Sequence, residues 1–181
     1  KGFTVQTLST DTVASQAAGG SWSSGGALNT ARRGLAGSGA TTAALAFGGT
    51  VTASSALTEQ YNGSSWSEQD DLNTARRNLA SSVNGTTTAS SAFTGYSTAN
   101  TALHEQYDGS SWSEEGDLTI ARNEGAGCGT TTAALAFGGE TPLTPGSGPH
   151  SAKTEEWDGS SWTEGGDLNT GIRGNAGLGL Q

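Results

Sequence analysis

Residues 61–76 read YNGSSWSEQDDLNTAR, and the chain contains nearly the same phrase twice more. The later copies are YDGSSWSEEGDLTIAR at 107–122 and WDGSSWTEGGDLNTGIR at 157–173. The tryptophan of this phrase recurs at roughly 44- to 50-residue intervals, a period typical of repeat proteins. The chain of 181 residues is therefore predicted to consist mainly of one repeated unit. The recurring tryptophans are Trp22, Trp66, Trp112 and Trp162.

Each unit is predicted to contain four short strands. In the first copy these are GLAGSGA (34–40), TAALAFGG (42–49), ALTEQYN (56–62) and SWSEQ (65–69). The third segment alternates as a half-buried strand does, and the fourth is short and polar, as an outer edge strand should be. Helices are not expected, because Gly, Thr and Ser are poor helix-interior residues and no helical periodicity appears.

The last two strands of each unit are separated by a turn signal. Asn62-Gly63, Asp108-Gly109 and Asp158-Gly159 occupy this position in the three copies. Asn-Gly and Asp-Gly are preferred in tight two-residue hairpin turns, in which both central residues have positive φ. The sequence therefore predicts a tight hairpin at each of these sites.

A four-stranded antiparallel unit that is repeated several times predicts an all-β fold built from β-propeller blades. The order of an apolar strand ending in Gly-Gly, an aromatic residue, a tryptophan and an arginine resembles the kelch repeat. The middle copy departs from the pattern, because Thr94 replaces the first glycine. The resemblance covers residues 21–181 and implies a propeller of kelch-like blades. The residues that carry it are Phe47, Gly48, Gly49, Tyr61 and Trp66, then Phe93, Tyr107 and Trp112, then Phe137, Gly138, Gly139, Trp157 and Trp162.

Three whole blades are predicted, at about 34–70, 78–116 and 124–166. A lone outer strand around Trp22 precedes them, and a lone inner strand, GNAGLGL (174–180), follows them. Propellers usually carry four to eight blades, so we expect the ring to be completed by a longer chain or by other protein chains.

Residues 1–20 do not match the repeat. The stretch GFTVQTLS alternates and is compatible with a strand, and the Ala/Gly-rich residues after it resemble a linker. A docked N-terminal strand and a disordered leader are both compatible with this segment.

The composition excludes several classes of partner. A net charge of −9, from 17 acidic against 8 basic residues, argues against binding to nucleic acid or to anionic lipid. No apolar run is long enough to cross a bilayer, so membrane insertion is not expected. The single cysteine, Cys128, cannot form an internal disulfide, and no zinc-ligand spacing occurs, so no cofactor is predicted.

No catalytic constellation is apparent, and the chain is not expected to be an enzyme. His104 takes the repeat position of Thr58 and is interpreted as a strand side chain. Cys128 is interpreted as a small buried residue of an inner strand. The acidic residues of TEQY, HEQY, TEEW, SEQDD and SEEGD recur in every copy and are interpreted as a solvated rim. His150 lies in an insertion, residues 140–153, and is a candidate binding residue.

The arginines form the most distinctive polar set of the sequence. One interpretation is that each fastens neighbouring blades by hydrogen bonds to loop carbonyls. The other is a cationic ring that binds an anionic sugar or the carboxylates of a partner. The set is Arg32, Arg76, Arg122 and Arg173. Arg33 directly follows the first member, and Arg77 directly follows the second.

The resemblance implies a non-enzymatic binding or structural propeller. The Ala/Gly/Ser/Thr-rich, nearly identical copies are also similar to kelch-like stretches of bacteriophage and environmental virion proteins. We therefore expect part of a virion or extracellular surface appendage that mediates adhesion or host contact, with a host-surface glycan as a possible partner. The insertion 140–153 is the candidate contact loop. The alternatives are an intracellular kelch adaptor for protein–protein interaction and a glycan-active propeller enzyme.

Overall fold

The chain folds into three four-stranded antiparallel sheets. The computed structural model of the protein describes residues 24–142, 150–177 and 179. Within these residues no helix is present, and thus none that has the length and apolarity to cross a membrane. Sheet 1 comprises β1 (Ala36–Ala40), β2 (Ala43–Phe47), β3 (Thr58–Tyr61) and β4 (Trp66–Gln69). Sheet 2 comprises β5 (Ala80–Ser81), β6 (Ser90–Phe93), β7 (His104–Tyr107) and β8 (Trp112–Glu114). Sheet 3 comprises β9 (Ala126–Gly129), β10 (Ala134–Phe137), β11 (Thr154–Trp157) and β12 (Trp162–Glu164).

The prediction of an all-β chain made of four-stranded antiparallel units is confirmed. In each sheet the strands neighbour one another in chain order, so every connection within a sheet is a hairpin. The inner strand expected at 174–180 is not formed, since residues 174–177 and 179 carry no strand. The segment 1–20 and the strand expected around Trp22 lie outside the described residues.

The turn between the last two strands differs from the two-residue hairpin expected from the sequence. Tyr61 pairs with Trp66, so the loop holds Asn62, Gly63, Ser64 and Ser65. Only Gly63 has a positive φ, of 96°, while the Asn62 side-chain oxygen accepts the backbone N–H groups of Ser64 and Ser65, both at 3.0 Å. The asparagine therefore works through its side chain, as in an Asx turn, and not through a left-handed backbone.

The same turn recurs with aspartate in the other two sheets. Asp108 accepts the N–H groups of Ser110 and Ser111 at 2.8 and 2.9 Å. The pKa of Asp108 is lowered, chiefly by the bond from the Ser111 N–H and then by the Ser110 hydroxyl. Asp158 is bonded in the same way to Ser160 and Ser161. The Asn/Asp-Gly-Ser-Ser phrase is thus explained by one local turn.

The first strands of the three sheets lie side by side, with β1 against β5 and β5 against β9. Small side chains permit this approach. The Ser81 hydroxyl donates to the Gly37 carbonyl across the first junction at 2.8 Å. At the second junction a Cβ on Gly127 would lie 2.3 Å from the Phe93 ring, so only glycine fits there. This explains the Gly/Ala/Ser content of the inner strands.

The hydrophobic core lies between consecutive sheets and is divided into two clusters. One cluster, between sheets 1 and 2, includes Phe47, Leu79 and Trp112. The other, between sheets 2 and 3, includes Phe93 and Trp162. Each sheet is therefore stabilised mainly by its neighbours, because a single sheet has too few large side chains to form a core of its own.

The residue after the second strand of each sheet has a left-handed backbone. Gly48 and Gly138 both have φ of 67°, and Thr94 has φ of 60° at the equivalent position. Thr94 is 1% exposed, and its hydroxyl has no hydrogen-bond partner among the described residues. A β-branched residue in this region is strained, and a buried hydroxyl without a partner adds a desolvation cost.

We expect Thr94→Gly to raise the free energy of unfolding by about 1 kcal/mol, because the relief of strain exceeds the greater flexibility that glycine gives the unfolded chain. Urea denaturation measures the change. The matched control is Gly48→Thr, which should destabilise, since a Cβ at Gly48 lies 2.8 Å from the Arg76 carbonyl oxygen. A Thr94→Gly variant less stable than the parent would contradict the strain argument.

Candidate functional site

The segment that connects one sheet to the next binds first to the sheet it leaves. After β4, the Arg76 N–H donates to the Ser55 carbonyl at 3.1 Å, and the Arg76 carbonyl accepts from Gly49 at 2.9 Å. After β8, the Arg122 backbone makes the equivalent bonds, to Thr101 and from Gly95. The backbone of each connecting arginine is therefore fixed on the sheet that precedes it.

The side chain of the same arginine reaches the sheet that follows. Arg76 forms an ion pair of 3.0 Å with Glu105 of β7 and donates to the Leu103 carbonyl at 2.9 Å. Glu105 also accepts the backbone N–H of Asn73 at 2.7 Å. One carboxylate thus binds both the guanidinium group and the backbone of the connecting segment.

This arrangement occurs three times, and we name it the arginine–glutamate clasp. Arg32 pairs with Glu59 of β3 at 2.5 Å, and Arg122 pairs with Glu155 of β11 at 2.5 Å. The backbone N–H groups of Asn29 and Thr119 complete the outer two clasps, at 2.6 and 2.7 Å. The clasp residues are Arg32 with Glu59, Arg76 with Glu105, and Arg122 with Glu155.

The clasps are buried, which bears on the two interpretations of the arginines. The side chains of Arg32, Arg76 and Arg122 are at most 1% exposed. Burial lowers the pKa of Arg76, and the Glu105 carboxylate opposes that shift. A ligand cannot reach these guanidinium groups in this arrangement, so the geometry favours a fastening role for them over an exposed cationic ring.

The interpretation of the recurring acidic residues as a solvated rim is wrong for three of them. Glu59, Glu105 and Glu155 are buried, because each one supplies the carboxylate of a clasp. Glu68 and Asp70, from the neighbouring phrase, are exposed as expected. A signal was present in the sequence, since each copy places one glutamate at a fixed strand position and one arginine in the preceding connection.

Arg173 does not belong to the clasp set. The repeat position of Arg76 and Arg122 is held by Ile172, whose N–H donates to the Ser151 carbonyl and whose carbonyl accepts from Gly139. Arg173 is 45% exposed and pairs with Glu140 and Glu124 on the surface. The connection that follows sheet 3 therefore presents an isoleucine where the earlier ones present a buried cation.

Aromatic contacts repeat beside the clasps. Trp112 of sheet 2 packs edge-on against Phe47 of sheet 1 at 4.9 Å and donates its Nε1–H to the Thr58 hydroxyl. Trp162 of sheet 3 packs against Phe93 of sheet 2 at 5.1 Å. Each phrase tryptophan in these two sheets therefore covers the preceding sheet.

His104 is a structural side chain, as its repeat position indicated. It is fully buried, and its Nδ1 accepts the Nε1–H of Trp162 at 3.2 Å. Its ring also packs edge-on against Trp157 at 4.6 Å. Burial lowers the pKa of His104 to about 4, and the nearby positive charge of Arg76 acts in the same direction. The ring is therefore neutral near pH 7.

The remaining candidate residues lie apart from the clasps. Cys128 is buried in β9, which confirms its interpretation as a small inner-strand residue, and burial raises its pKa. His150 is exposed and forms a β-bridge with Glu140 at the base of the insertion, of which residues 143–149 lie outside the described part. In the part of the chain that the structure describes, no His, Cys, Asp and Glu side chains group to hold a metal.

No known family model matches the chain, and no curated protein is significantly similar to it.

We expect Glu105→Gln to destabilise the protein by roughly 3–5 kcal/mol, because it leaves the Arg76 guanidinium buried without its counter-charge. Denaturant unfolding measures the loss. The matched control is Glu114→Gln, because Glu114 lies directly opposite Glu105 in the register of β7 and β8 but is exposed. Equal losses in the two variants would show that the buried ion pair has no special role.

His104 should make stability depend on pH. Its folded pKa, about 4, lies below its ordinary value of 6.5, so the unfolded state binds the proton more readily. The contribution of His104 to the free energy of unfolding is complete above pH 6.5. It declines as the pH falls toward 4, by about 3 kcal/mol in all.

Unfolding measured between pH 4 and 7 tests this dependence. His104→Thr, which copies the acceptor at Thr58, should flatten the pH dependence in that range, whatever its effect on stability at pH 7. The control is His150→Thr, at an exposed position. An unchanged slope in the His104 variant would assign the pH dependence to other groups.

Proposed function

We propose that this chain is a non-enzymatic, kelch-like β-propeller module of a virion or extracellular surface appendage, and that it binds a partner through the loops of one face. The proposal is based on a difference between two parts of the repeat. The clasps and aromatic contacts that hold the sheets together recur from sheet to sheet. The loop after the second strand differs in length and sequence among the sheets.

Two features support a propeller arrangement. The first strands of consecutive sheets lie side by side, as the inner strands of blades do around an axis. In addition, successive backbone N–H groups donate to the preceding unit: Asn78 to Gly34 at 2.7 Å, Glu124 to Asn78 at 2.9 Å, and Gly174 to Glu124 at 2.8 Å. All four residues have positive φ. The same backbone hydrogen bond between consecutive units is therefore formed three times.

The exposed side of sheet 3 supports partners made of further blades, from other chains or from a longer chain. Phe47 and Phe93 are fully buried beneath the tryptophan of the next sheet, whereas the equivalent Phe137 is only partly buried. Ile172, beside this surface, is 37% exposed. An additional sheet placed there would cover both apolar side chains.

The loops after the second strands support the choice of binding face. Each is closed by a β-bridge: Thr50 with Ser54, Tyr96 with Asn100, and Glu140 with His150. The bridge encloses residues 51–53 in sheet 1 and 97–99 in sheet 2, but residues 141–149 in sheet 3. Repeat proteins often present specific contacts through an insertion in one copy of a recurring loop.

A loop exchange tests the function. Residues 141–149 are replaced by Val-Thr-Ala, the residues that occupy 51–53 within the same kind of bridge. We expect this variant to lose binding to host cells and to an array of surface glycans, while its unfolding curve stays close to that of the parent.

The matched control gives residues 97–99 the same Val-Thr-Ala sequence, which changes only Ser97→Val, and it should retain binding because that loop keeps its length. Undiminished binding by the 141–149 exchange would reject the insertion as the contact loop. A parent chain that binds no cell and no glycan would reject the adhesion function.

A further inference from the structure

Two arginines form no ion pair within the part of the chain that the structure describes. Among the described residues, every other arginine, and Lys153, pairs with a carboxylate. Arg33 and Arg77 form no ion pair there, although the chain has 17 acidic residues. Each directly follows a clasp arginine. The first arginine of each Arg-Arg pair is buried in a clasp and has a structural role, so the second arginine is the one that can bind a ligand.

Arg33 and Arg77 line the same cavity. It has a volume of about 420 Å³ and lies where the loop after β2 meets the start of sheet 2. Backbone bridges place both residues, Arg33 with Thr50 and Arg77 with Tyr96. We call it the Arg33–Arg77 cavity, and its lining residues are Arg33, Gly34, Thr50, Thr52, Arg77 and Asn78.

Arg77 is held in position before any ligand arrives. Its guanidinium carbon lies 4.4 Å from the centre of the Tyr96 ring, and one terminal nitrogen donates to the Ser54 hydroxyl at 3.1 Å. The other N–H donors of this side chain have no partner among the described residues. A guanidinium fixed by an aromatic face loses little freedom when it binds an anion.

The cavity also offers a hydroxyl group. Thr52, which is exposed, lines it, whereas the Thr50 hydroxyl is buried and faces no ligand. The side-chain donors of Arg33 are unused in the described part of the chain. A complementary ligand therefore carries an anionic group for the two guanidinium forks and a hydroxyl group for Thr52.

We propose that the Arg33–Arg77 cavity binds an acidic sugar residue, that is, a sugar carrying a carboxylate or a sulfate. The cavity volume falls within the ~300–1,000 Å³ range of small-molecule sites and suits one or two sugar units. Arginine forks match the planar carboxylate and the oxygens of sulfate. The inference rests on the proposed adhesive function and names the ligand class that one site on that face would take.

The next junction lacks this arrangement, which limits the proposal to one place. There the position of Arg33 and Arg77 is taken by Asn123, which bridges to Glu140. Arg173, one unit further on, pairs with Glu140 and Glu124. The second junction therefore has an asparagine where the first has Arg77, and after sheet 3 the charge of Arg173 is paired with carboxylates.

Titration of the full chain with glucuronate, glucose 6-sulfate and glucose tests the proposal, with binding followed by calorimetry and by backbone amide NMR shifts. We expect both acidic sugars to bind and glucose to bind at least tenfold more weakly. The shifts should centre on residues 33–34, 50–52 and 77–78. The relative affinity of the two acidic sugars distinguishes carboxylate from sulfate recognition. Equal binding of glucose, or no binding of either acidic sugar, would overturn the proposal.

Variants locate the site. Arg33→Gln should weaken binding of the acidic sugars at least tenfold, and because Arg33 is exposed and makes no side-chain hydrogen bond in the described residues, the fold should be unaffected. Arg77→Lys keeps the charge but removes the fork, and it should also weaken binding. Arg173→Gln is the matched control and should bind as the parent does. If Arg33→Gln retains the parent affinity, the cavity is not the site.

Two outcomes separate this inference from the adhesive function on which it rests. If the chain adheres to no cell or glycan array but glucuronate still binds in an Arg33-dependent manner, the function fails and the site stands. If the chain adheres but glucuronate binds equally to the parent and to Arg33→Gln, the function stands and the site fails. Tighter Arg33-dependent binding of a triglutamate peptide than of glucuronate would overturn the sugar assignment in favour of an acidic peptide.

Discussion

The arginine–glutamate clasp is the interaction on which the arrangement of the sheets depends. Burying a guanidinium group and a carboxylate costs several kcal/mol for each ion, and only close pairing with further hydrogen bonds offsets that cost. Glu105 satisfies this requirement with groups from the connecting segment, while Arg76 also binds a carbonyl of the sheet that follows. A sheet displaced by one strand position would leave both charges buried and unpaired. The clasp therefore selects one placement of each sheet against its neighbour more than it adds stability.

The side-chain composition imposes a second constraint that acts together with the clasp. The chain has 29 glycines, and the close approach of the inner strands at Gly127 leaves no room for larger residues. Large apolar area is consequently confined to aromatic pairs such as Phe47 with Trp112, at the outer part of each junction. The clasps and the aromatic pairs hold the sheets together jointly, since neither set alone provides both enough buried area and enough specificity.

Local features of this fold were predictable from the sequence, and pairings between distant residues were not. Strand alternation and the Asn/Asp-Gly turns act over a few residues, so the four-strand unit and its copies could be assigned. The burial of Glu105 depends on Arg76 in an earlier unit, and a glutamate in an alternating strand ordinarily faces solvent. Grouping Arg173 with the other arginines by residue type was also wrong, because backbone hydrogen bonds place Ile172 at the repeat position of Arg76 and Arg122. The Arg33–Arg77 cavity depends on how two loops meet, which no single stretch of sequence encodes.

The isoleucine at position 172 changes the physical character of the junction that follows sheet 3. Surfaces joined through Ile172 and Phe137 would associate by apolar contact, whose driving force weakens on cooling and responds little to modest changes in ionic strength. The clasped junctions combine apolar contact with buried charge, which is desolvated once, during folding. A junction formed at Ile172 would therefore depend more on apolar contact, and less on buried charge, than the clasped junctions do.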